Sequence, residues 1–511
     1  MKNKSILTSP LVTHTNGKSL EEINGTLSVP KNSKFLKTLF AYSGPGALVA
    51  VGYMDPGNWA TSITGGQNFQ YLLMSVILMS SLIAMLLQYM SAKLGIVSQM
   101  DLAQAIRART SKPLGIVLWI LTELAIMATD IAEVIGAAIA LYLLFNIPLT
   151  LAVFITVFDV LLLLLLAKVG FRKIEALIFC LIIVILVVFA YQVTLSNPAW
   201  NQIIQNLIPN QDTFSSSYSV NGMTPLTGAL GIIGATVMPH NFYLHSSISQ
   251  TRAIDYSKES EVKKAVKFST WDSNIQLTIA FFVSSLLLIM GVSVFKTGVV
   301  QDPSFFGLYD ALSNPDLLNN QALKTVGKTG ILSTLFAVSL LASGQNATIT
   351  GTLTGQIIME GFVHMKLPIW ARRLVTRLLA VIPVLICVAM TQHSNITQQH
   401  EAINLLMNNS QVFLAFALPF SMVPLLMLTN EKVTMKNFQN KIWLKVLGWI
   451  SVIAMIYLNL IGLPDQIEAF FPSQNKGVAD ILAYFIIIGV LALLVWTIVE
   501  FKRSQKILES N

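Results

Sequence analysis

The sequence VAVGYMDPGNWATSITGG, residues 49–66, places a charged residue and two helix-breaking residues in the middle of an apolar run. Asp55 is followed directly by Pro56 and Gly57. Proline removes an intrahelical hydrogen bond and leaves the carbonyl four residues earlier, here that of Gly52, without its usual donor. A carboxylate is costly in hydrocarbon and normally faces protein or water. The stretch therefore predicts a membrane helix that is broken at its own carboxylate.

Apolar segments recur along nearly the whole chain of 511 residues. Hydrophobic residues make up 54% and charged residues 11%, whereas soluble domains carry about 25% charged residues. The segments that can cross about 30 Å of hydrocarbon are 42–68, 70–93, 114–144, 148–168, 173–195, 226–250, 269–295, 328–351, 373–391, 402–429, 443–463 and 478–500. They are continuously apolar, unlike the alternating strands of a membrane barrel. The sequence therefore predicts an all-α integral membrane protein with one span per segment, numbered in chain order.

The net charge of +8 follows a topological pattern. With the N-terminus in the cytosol, only Lys296, Lys324, Lys328 and Lys476 fall in external loops, and the other 29 of the 33 Lys and Arg residues fall on the cytosolic side. Such an excess follows the positive-inside rule. We therefore predict a multi-pass protein of the cell membrane with both termini in the cytosol. The basic charge reports this topology and does not indicate a nucleic-acid partner.

Composition divides the chain into three regions. Residues 1–40 are polar and predict a cytosolic tail without a signal peptide. Residues 41–465 form the predicted membrane core including span 11, and residues 466–511 hold span 12 and a short cytosolic C-terminal tail. The two cysteines, Cys180 and Cys387, lie in predicted spans and supply neither a disulfide framework nor a CxxC metal site.

A second interruption lies in span 6, in the sequence GIIGATVMPHNFYLHSSISQ, residues 231–250. Pro239 frees the carbonyl of Ala235 in the way that Pro56 frees that of Gly52. The two breaks correspond if spans 1–5 and 6–10 form two halves, and five spans in each half make the halves inverted. Paired broken helices indicate a transporter's binding site near the membrane midplane, although a single proline kink can also serve packing alone.

The side chains at the two breaks favour a transition-metal ion. Asp55 offers an anionic oxygen, Asn58 offers an amide oxygen one turn later, and the freed carbonyls add neutral oxygens. Met238 adds a soft thioether. One carboxylate with carbonyls and a thioether suits Mn²⁺, Fe²⁺ or Co²⁺ better than an all-oxygen cage for Mg²⁺ or Ca²⁺. Taken alone, however, Met238 is more often a residue that fills the core.

The motifs DPGNWAT (55–61) and MPHN (238–241) resemble the signature motifs of the NRAMP family of proton-coupled divalent metal transporters. The sequence GQNATITGTLTGQIIMEGF (344–362) is similar to the family's signature loop, expected in the cytosol between spans 8 and 9. The resemblance implies a LeuT-like fold with broken helices 1 and 6. It also implies two inverted five-helix repeats, at about 42–195 and 226–429, and two further helices.

The same resemblance implies a set of metal ligands: Asp55, Asn58, Met238, the carbonyls of Ala235 and Gly52, and in some conformations Gln411. The family imports Mn²⁺ or Fe²⁺, and Co²⁺ and Cd²⁺ are further expected substrates. Family members that carry Mg²⁺ or aluminium lack the methionine, which is present here. The histidine that corresponds to His240 is associated in the family with proton coupling and gating rather than with direct binding.

Span 3 carries Glu123, Asp130 and Glu133 in an otherwise apolar helix. At about 100° per residue, these acids occupy one face within an arc of about 80°. They predict a wet proton path. The alternative is that they are buried partners of arginines, which is compatible with the path, and Arg372, Arg373 and Arg377 near the cytosolic end of span 9 are the candidates.

Other polar residues in the spans leave more than one interpretation open. His240 lies beside the proposed metal site, where a proton or gating role, metal ligation and packing all remain alternatives. Asp159 in span 4 and Asp272 and Asn274 in span 7 are secondary candidates. His245 receives no predicted role.

We predict a secondary active transporter that imports divalent metal ions together with protons by alternating access. It is expected to work as a monomer in the lipid bilayer and to need no cofactor. The chain has no HExxH motif and is not expected to be an enzyme. It has no GxxxxGK[ST] motif, so no nucleotide partner is expected. Two alternatives remain: an ion-coupled amino-acid or other small-solute symporter of the same fold, and a metal channel or sensor.

Overall fold

The computed structural model describes residues 24–30, 33–159, 171–294, 302, 304–318, 320–365, 369–391, 394–468 and 476–510. Residues 1–23 of the predicted tail, residues 160–168 of predicted span 4 and residues 295–301 lie outside the described residues. Within the described ranges, regular structure is helical apart from two isolated β-bridges, Leu27 with Arg252 and Val220 with Met223. The prediction of an all-α protein is therefore confirmed.

The helices of the first half are α1 (Phe35–Tyr42), α2 (Pro45–Gly52), α3 (Pro56–Phe69), α4 (Met74–Ser98), α5 (Leu102–Arg107), α6 (Lys112–Phe145), α7 (Leu149–Ile155), α8 (Phe171–Ser196) and α9 (Trp200–Gln205). Those of the second half are α10 (Pro225–Thr236), α11 (Pro239–Ile248), α12 (Glu259–Ser293), α13 (Phe305–Ser313), α14 (Gln321–Gly327), α15 (Ile331–Val363), α16 (Ile369–Thr391), α17 (Ile396–Ala417) and α18 (Pro419–Asn430). The remaining helices are α19 (Lys432–Met435), α20 (Ile442–Glu468) and α21 (Lys476–Ser510). Short 3₁₀ turns lie at Gln70–Leu73, Thr156–Phe158, Ser249–Thr251, Pro315–Leu317 and Lys436–Phe438.

Both predicted breaks are present. α2 ends at Gly52, and Asp55 is the N-cap of α3 with Pro56 as its first residue. Met238 is likewise the N-cap of α11, which begins at Pro239. Proline is tolerated at this position because the first N–H groups of a helix have no intrahelical acceptor. The prediction of broken helices 1 and 6 is therefore confirmed.

Span 10 contains Pro419, which removes a helical hydrogen bond but does not divide the span, since Leu418 is in helical conformation and Ile396–Asn430 form one span. α17 ends at Ala417, and α18 begins at Pro419. Pro419 cannot donate a hydrogen bond to the carbonyl of Ala415. The amide of Asn459 in α20 donates to that carbonyl instead, at 2.6 Å. A neighbouring helix therefore compensates for the backbone bond that the proline removes.

Eight helices in the described residues are long and apolar enough to cross a membrane, or nine if the bent pair α14 and α15, which meet at 76°, is one span. Span 6 falls outside this count because it is divided at its break, and the second half of span 1 is counted together with span 2 as Pro56–Ser98. Span 4 leaves the described residues after Asp159. Within the described residues, the predicted spans coincide with helices, parts of helices or broken pairs of helices.

The two breaks lie in the interior of the helix bundle. α6 packs along α15, α12 packs against α2, α3 and α4, and α17 packs against α10 and α6. Every residue of α2 is buried. In contrast, α21 exposes large apolar side chains such as Ile481 and Phe485. Such an apolar surface is typical of a helix that faces lipid.

Residues 344–362 do not form the predicted cytosolic loop. They belong to α15, which continues without interruption to Val363, so that prediction is wrong. Their glycines allow neighbouring side chains to approach the helix and do not turn the chain. A Cβ atom on Gly355, for example, would lie 1.7 Å from Nη1 of Arg372. The segment stays helical because adjacent helices cover its glycine-rich surface.

Candidate metal-binding site

Asp55 is fully buried, and its two carboxylate oxygens differ in their hydrogen bonding. Its Oδ1 accepts a hydrogen bond from the backbone N–H of Asn58 at 2.9 Å, which caps α3. Its Oδ2 has no hydrogen-bond partner among the described residues. A buried carboxylate oxygen without a partner is costly. The geometry therefore leaves one anionic oxygen for a ligand in the first break.

Asn58 is held by three side-chain hydrogen bonds. Its amide nitrogen donates to the carbonyl of Tyr53 at 2.6 Å. Its Oδ1 accepts hydrogen bonds from Ser62 at 3.1 Å and from Ser284 at 3.3 Å. An amide oxygen has two lone pairs, so both are engaged by hydroxyl groups. A metal ion at this oxygen would require at least one hydroxyl group to turn away.

The two serines were missed by sequence reasoning. Ser62 lies one turn after Asn58 in α3, whereas Ser284 lies in α12, 226 residues away. The spacing of Ser62 was a usable signal, because residues four apart share a helix face. No local signal identifies Ser284.

The ends of the two broken helices touch each other. A Cβ atom on Gly52, the last residue of α2, would lie 2.3 Å from Nδ2 of Asn241 in α11. That Nδ2 has no hydrogen-bond partner in the part of the chain that the structure describes. The carbonyl of Gly52 has no helical donor, since Pro56 has no N–H. The first break therefore lies against the start of α11, with unsatisfied polar groups on both sides.

Met238 and Ala235 lie on the two sides of the second break. Met238 is fully buried and packs in an apolar cluster with Ala125 and Ala128 of α6 and with Leu414 and Ala417 of α17. Ala235 lies in the last turn of α10, and its carbonyl lacks the helical donor because Pro239 has no N–H. The contacts therefore confirm that Met238 packs in the core, and ligation by its sulfur stays a prediction.

Gln411 lies between the two breaks. A Cβ atom on Gly57 would be 2.3 Å from its side-chain Nε2, and one on Gly234 would be 2.0 Å from its backbone carbonyl oxygen. The Nε2 donates to Ser410 at 3.0 Å. The Oε1 has no partner among the described residues. The structure therefore brings span 10 into contact with both broken spans and leaves a second unsatisfied oxygen there.

No cluster of three or more His, Cys, Asp or Glu side chains suited to a metal ion occurs in the described residues. The mixed set of Asp55, neutral oxygens and the sulfur of Met238 stays a prediction.

The span 3 acids are paired with arginines of α16. Arg373 contacts Asp130 at 2.5 Å and Glu133 at 2.8 Å. Arg377 contacts Asp159 at 2.5 Å and Glu133 at 3.3 Å. All five side chains are at most 2% exposed. When all are ionised, three carboxylates and two guanidinium groups carry one net negative charge, and we call these five residues the acid–arginine cluster.

Glu123 belongs to a separate pair. Arg372 donates to its carboxylate at 2.7 Å, and the indole of Trp119 donates to it at 3.1 Å. The Glu123 side chain is 17% exposed. The three acids therefore share a helix face, as predicted, but belong to two different ion-pair groups. The interpretation as arginine partners is confirmed, and the proton path stays a prediction.

Two histidines of α11 differ in their surroundings. His240 is buried, and its Nδ1 has no partner in the described part of the chain. His245 contacts the side-chain oxygen of Gln88 at 3.0 Å through Nδ1, and Gln88 in turn donates to the hydroxyl of Tyr53 at 3.0 Å. His245, which has no predicted role, thus connects α11 through α4 to the first break.

Asp272 anchors the start of α2. Its carboxylate accepts from the N–H of Gly46 at 2.7 Å and from the hydroxyl of Ser43 at 2.8 Å. Arg252 donates to the carbonyl of Ser43 at 2.6 Å and pairs with Glu175 at 2.8 Å. A carboxylate at a helix N-terminus is stabilised by the helix dipole. These contacts tie the first half of span 1 to α12 and α8.

The chain is similar in sequence to known divalent metal transporters along most of its length. The model of the Nramp family, described as natural resistance-associated macrophage protein-like, matches residues 46–464. The divalent metal cation transporter MntH of Levilactobacillus brevis is 54% identical over 448 residues, which cover 88% of this chain and 93% of that protein. MntH of Lacticaseibacillus casei is 55% identical over 446 residues, which cover 87% and 94%.

A solved structure shows the same fold. The crystal structure of the Eremococcus coleocola manganese transporter in complex with an aromatic bis-isothiourea substituted compound is 64% identical. It superposes with a TM-score of 0.90 and covers 95% of this chain and 99% of that one. Similarity at this level extends along nearly the whole chain.

Proposed function

Because this chain belongs to the Nramp family, we propose that it is a secondary active transporter that carries divalent transition-metal ions into the cytosol, with Mn²⁺ as its main substrate. The observation that carries the proposal is the unpartnered Oδ2 of Asp55, buried at the break of span 1. The named relatives transport divalent metal cations, and one solved relative transports manganese. Because the chain belongs to this family, we do not retain the two alternatives from the sequence, a symporter of amino acids or other small solutes and a metal channel or sensor.

The ligand chemistry supports a transition metal as the substrate. Asp55 supplies one negative charge, and the carbonyls of Gly52 and Ala235 and the amide oxygens of Asn58 and Gln411 supply neutral oxygens. Met238 supplies sulfur, which hard ions such as Ca²⁺ and Mg²⁺ bind poorly. One charge only partly neutralises a divalent ion. Such a site holds the ion weakly enough to release it, as a transporter must.

Protons are the co-transported ion in this proposal. The acid–arginine cluster supports that role because one oxygen each of Asp130, Glu133 and Asp159 has no partner among the described residues. The cluster also carries more acids than arginines. Buried acids inside a membrane protein commonly mark proton routes. Glu123, which is partly exposed at the pair with Arg372, is the point where this route would meet water.

Alternating access would move the broken halves against the rest of the bundle. The contacts of Asp272 and Arg252 hold the start of α2 in its present position. With the termini in the cytosol, these contacts lie on the cytosolic side, and release of the metal to the cytosol requires them to separate. The site is complete within one chain, so the monomer is the functional unit in this proposal.

Reconstitution into liposomes tests the proposal. The measurement records Mn²⁺ entry with one lumenal dye and lumenal pH with a second dye, under an inward proton gradient. We expect Mn²⁺ uptake accompanied by acidification, and no uptake by Asp55→Asn. Uptake without acidification would show that proton coupling is wrong. A wild-type protein that moves no Mn²⁺ at any pH would show that the proposed transport is wrong.

A further inference from the structure

Ser284 of α12 presents to the break of span 1 a hydroxyl group that has two acceptors. Its Oγ lies 3.3 Å from Oδ1 of Asn58 and 3.4 Å from the carbonyl oxygen of Tyr53. A serine hydroxyl has a single hydrogen to donate. Because the two acceptors lie at nearly the same distance, rotation of this hydrogen moves the bond from one to the other, and neither helix has to shift.

Both acceptors allow this exchange. The carbonyl of Tyr53 accepts from Nδ2 of Asn58 at 2.6 Å and, with two lone pairs, can accept from a second donor. Oδ1 of Asn58 also accepts from Ser62, at 3.1 Å. Asn58, Ser62 and Ser284 are all at most 2% exposed. The two hydroxyl groups therefore occupy both lone pairs of Oδ1, and a metal ion that binds this oxygen has to displace one of them.

Ser284 is the donor that is easier to displace. Ser62 lies four residues after Asn58 on α3, so the two side chains share a helix face and move together. Ser284 belongs to another helix, and its bond to Asn58 is the longer and hence the weaker of the two. The carbonyl of Tyr53 gives Ser284 a second acceptor, so that its displacement leaves no buried donor without a partner.

The two side-chain oxygens proposed as ligands at the first break thus differ in how they meet the ion. Oδ2 of Asp55 has no hydrogen-bond partner among the described residues, whereas Oδ1 of Asn58 has two. A hydrogen bond that the protein makes only without the metal ion stabilises the metal-free protein. It lowers the metal affinity by the same free energy, because binding has to break it.

We propose that Ser284 sets the metal affinity of the site, because its hydroxyl group competes with the divalent ion for the amide oxygen of Asn58 and turns to the carbonyl of Tyr53 when the ion binds. The inference rests on the proposed transport function and adds a control of affinity at the same site. When the ion leaves, the hydroxyl returns to Asn58, so release leaves no buried amide oxygen without a partner. Ser284 thereby favours release of the ion.

Calorimetric titration of the purified protein with Mn²⁺ tests the competition. Ser284→Ala removes the competing hydroxyl, and we expect it to bind Mn²⁺ more tightly than the wild type, by about two- to tenfold for one hydrogen bond. Ser285→Ala is the matched control. Ser285 is the next residue on α12 and is also buried, but its hydroxyl has no hydrogen-bond partner in the described part of the chain, so this variant should keep the wild-type affinity.

The same titration in an Asn58→Ala background shows whether the effect acts through Asn58. This background lacks the amide oxygen, so adding Ser284→Ala should bring no further gain in affinity. A gain as large as in the wild-type background would overturn the competition. An unchanged affinity of Ser284→Ala alone would overturn it too, and a weaker one would show instead that Ser284 positions Asn58 as a ligand. A wild-type protein that binds no Mn²⁺ would overturn the proposed function together with this inference.

Thermal unfolding in detergent gives a second readout that does not depend on transport. At a fixed Mn²⁺ concentration, the ion raises the unfolding midpoint more when it binds more tightly. We expect a larger rise on addition of Mn²⁺ for Ser284→Ala than for the wild type and for Ser285→Ala. A rise for Ser284→Ala no larger than that of the wild type would overturn the competition.

Discussion

The side chain of Gln411 lies against the backbone of Gly57, so closely that a Cβ atom on Gly57 would be 2.3 Å from Nε2 and 2.4 Å from Cδ. Gly57 follows Pro56 in the first turn of α3, and Gln411 lies in the middle of α17. Span 10 therefore touches the break of span 1 at a position where any larger residue would displace the Gln411 side chain. This contact places an amide group beside Gly57, two residues after Asp55, without any sequence motif that joins the two spans.

Gly57→Ala should displace Gln411 and weaken Mn²⁺ binding. Overpacking of this kind costs about 1–3 kcal/mol, which corresponds to at least about a fivefold loss of affinity. Calorimetric titration of purified protein measures it. The control is Gly477→Ala, since a Cβ atom on Gly477 meets nothing within 4 Å. In a Gln411→Ala background, which lacks the side chain that a Cβ on Gly57 would meet, Gly57→Ala should cause no further loss of affinity, and a further loss of similar size would contradict the steric argument.

Asp55→Asn should retain the fold and lose the metal. Asparagine keeps an oxygen that accepts from the N–H of Asn58, so the cap of α3 survives. Changes around metal ligands already cost about 10–100-fold in affinity, and loss of the one carboxylate should cost at least about a hundredfold. Glu401→Gln, an exposed acid on α17, is the control. Mn²⁺ binding within a few fold of wild type would contradict the assigned role of Asp55.

Met238→Ala should keep Mn²⁺ transport but allow Ca²⁺ to compete, because the remaining ligands are all oxygens. The measurement is inhibition of Mn²⁺ uptake by added Ca²⁺. Met238 also packs against Ala128 and Leu414, and truncation of a buried Met costs about 2–5 kcal/mol. Met238→Leu separates the two effects, since it preserves packing and removes sulfur. An unchanged response to Ca²⁺ in both variants would refute the sulfur filter.

Arg373→Met should destabilise the protein strongly. Arg373 joins Asp130 and Glu133 through different nitrogen atoms, and removal of one partner from a buried ion pair costs about 3–5 kcal/mol. Thermal unfolding in detergent measures the loss. Arg373→Lys should not rescue it, because a single ammonium group cannot reproduce the two-pronged contact.

The control for the arginine is Lys263→Met, which removes an exposed pair with Glu259 and should leave the unfolding midpoint almost unchanged. A midpoint for Arg373→Met close to that of Lys263→Met would mean that the acid–arginine cluster does not stabilise the fold.

Residues 344–362 show where the family resemblance misled the prediction. They were expected to form a loop, but Gly351 and Gly355 leave room for Glu133 and Arg372 on the surface of a continuous helix. Pro419 shows how another helix can compensate for a proline. The helix continues through Pro419, and Asn459 of α20 donates to the carbonyl of Ala415 that the proline leaves without its helical donor.

The sequence by itself determined the apolar spans, the two breaks and the kinds of ligand atom at them. Each depends on chemistry within a few residues: hydrophobicity over the width of a bilayer, the N–H that proline lacks, and the cap that Asp55 provides. Only the tertiary structure decided that Ser284 donates to Asn58, that Gln411 lies between the breaks, and that Arg377 joins Asp159. These partners lie far apart in the chain, and the packing of whole helices brings them together.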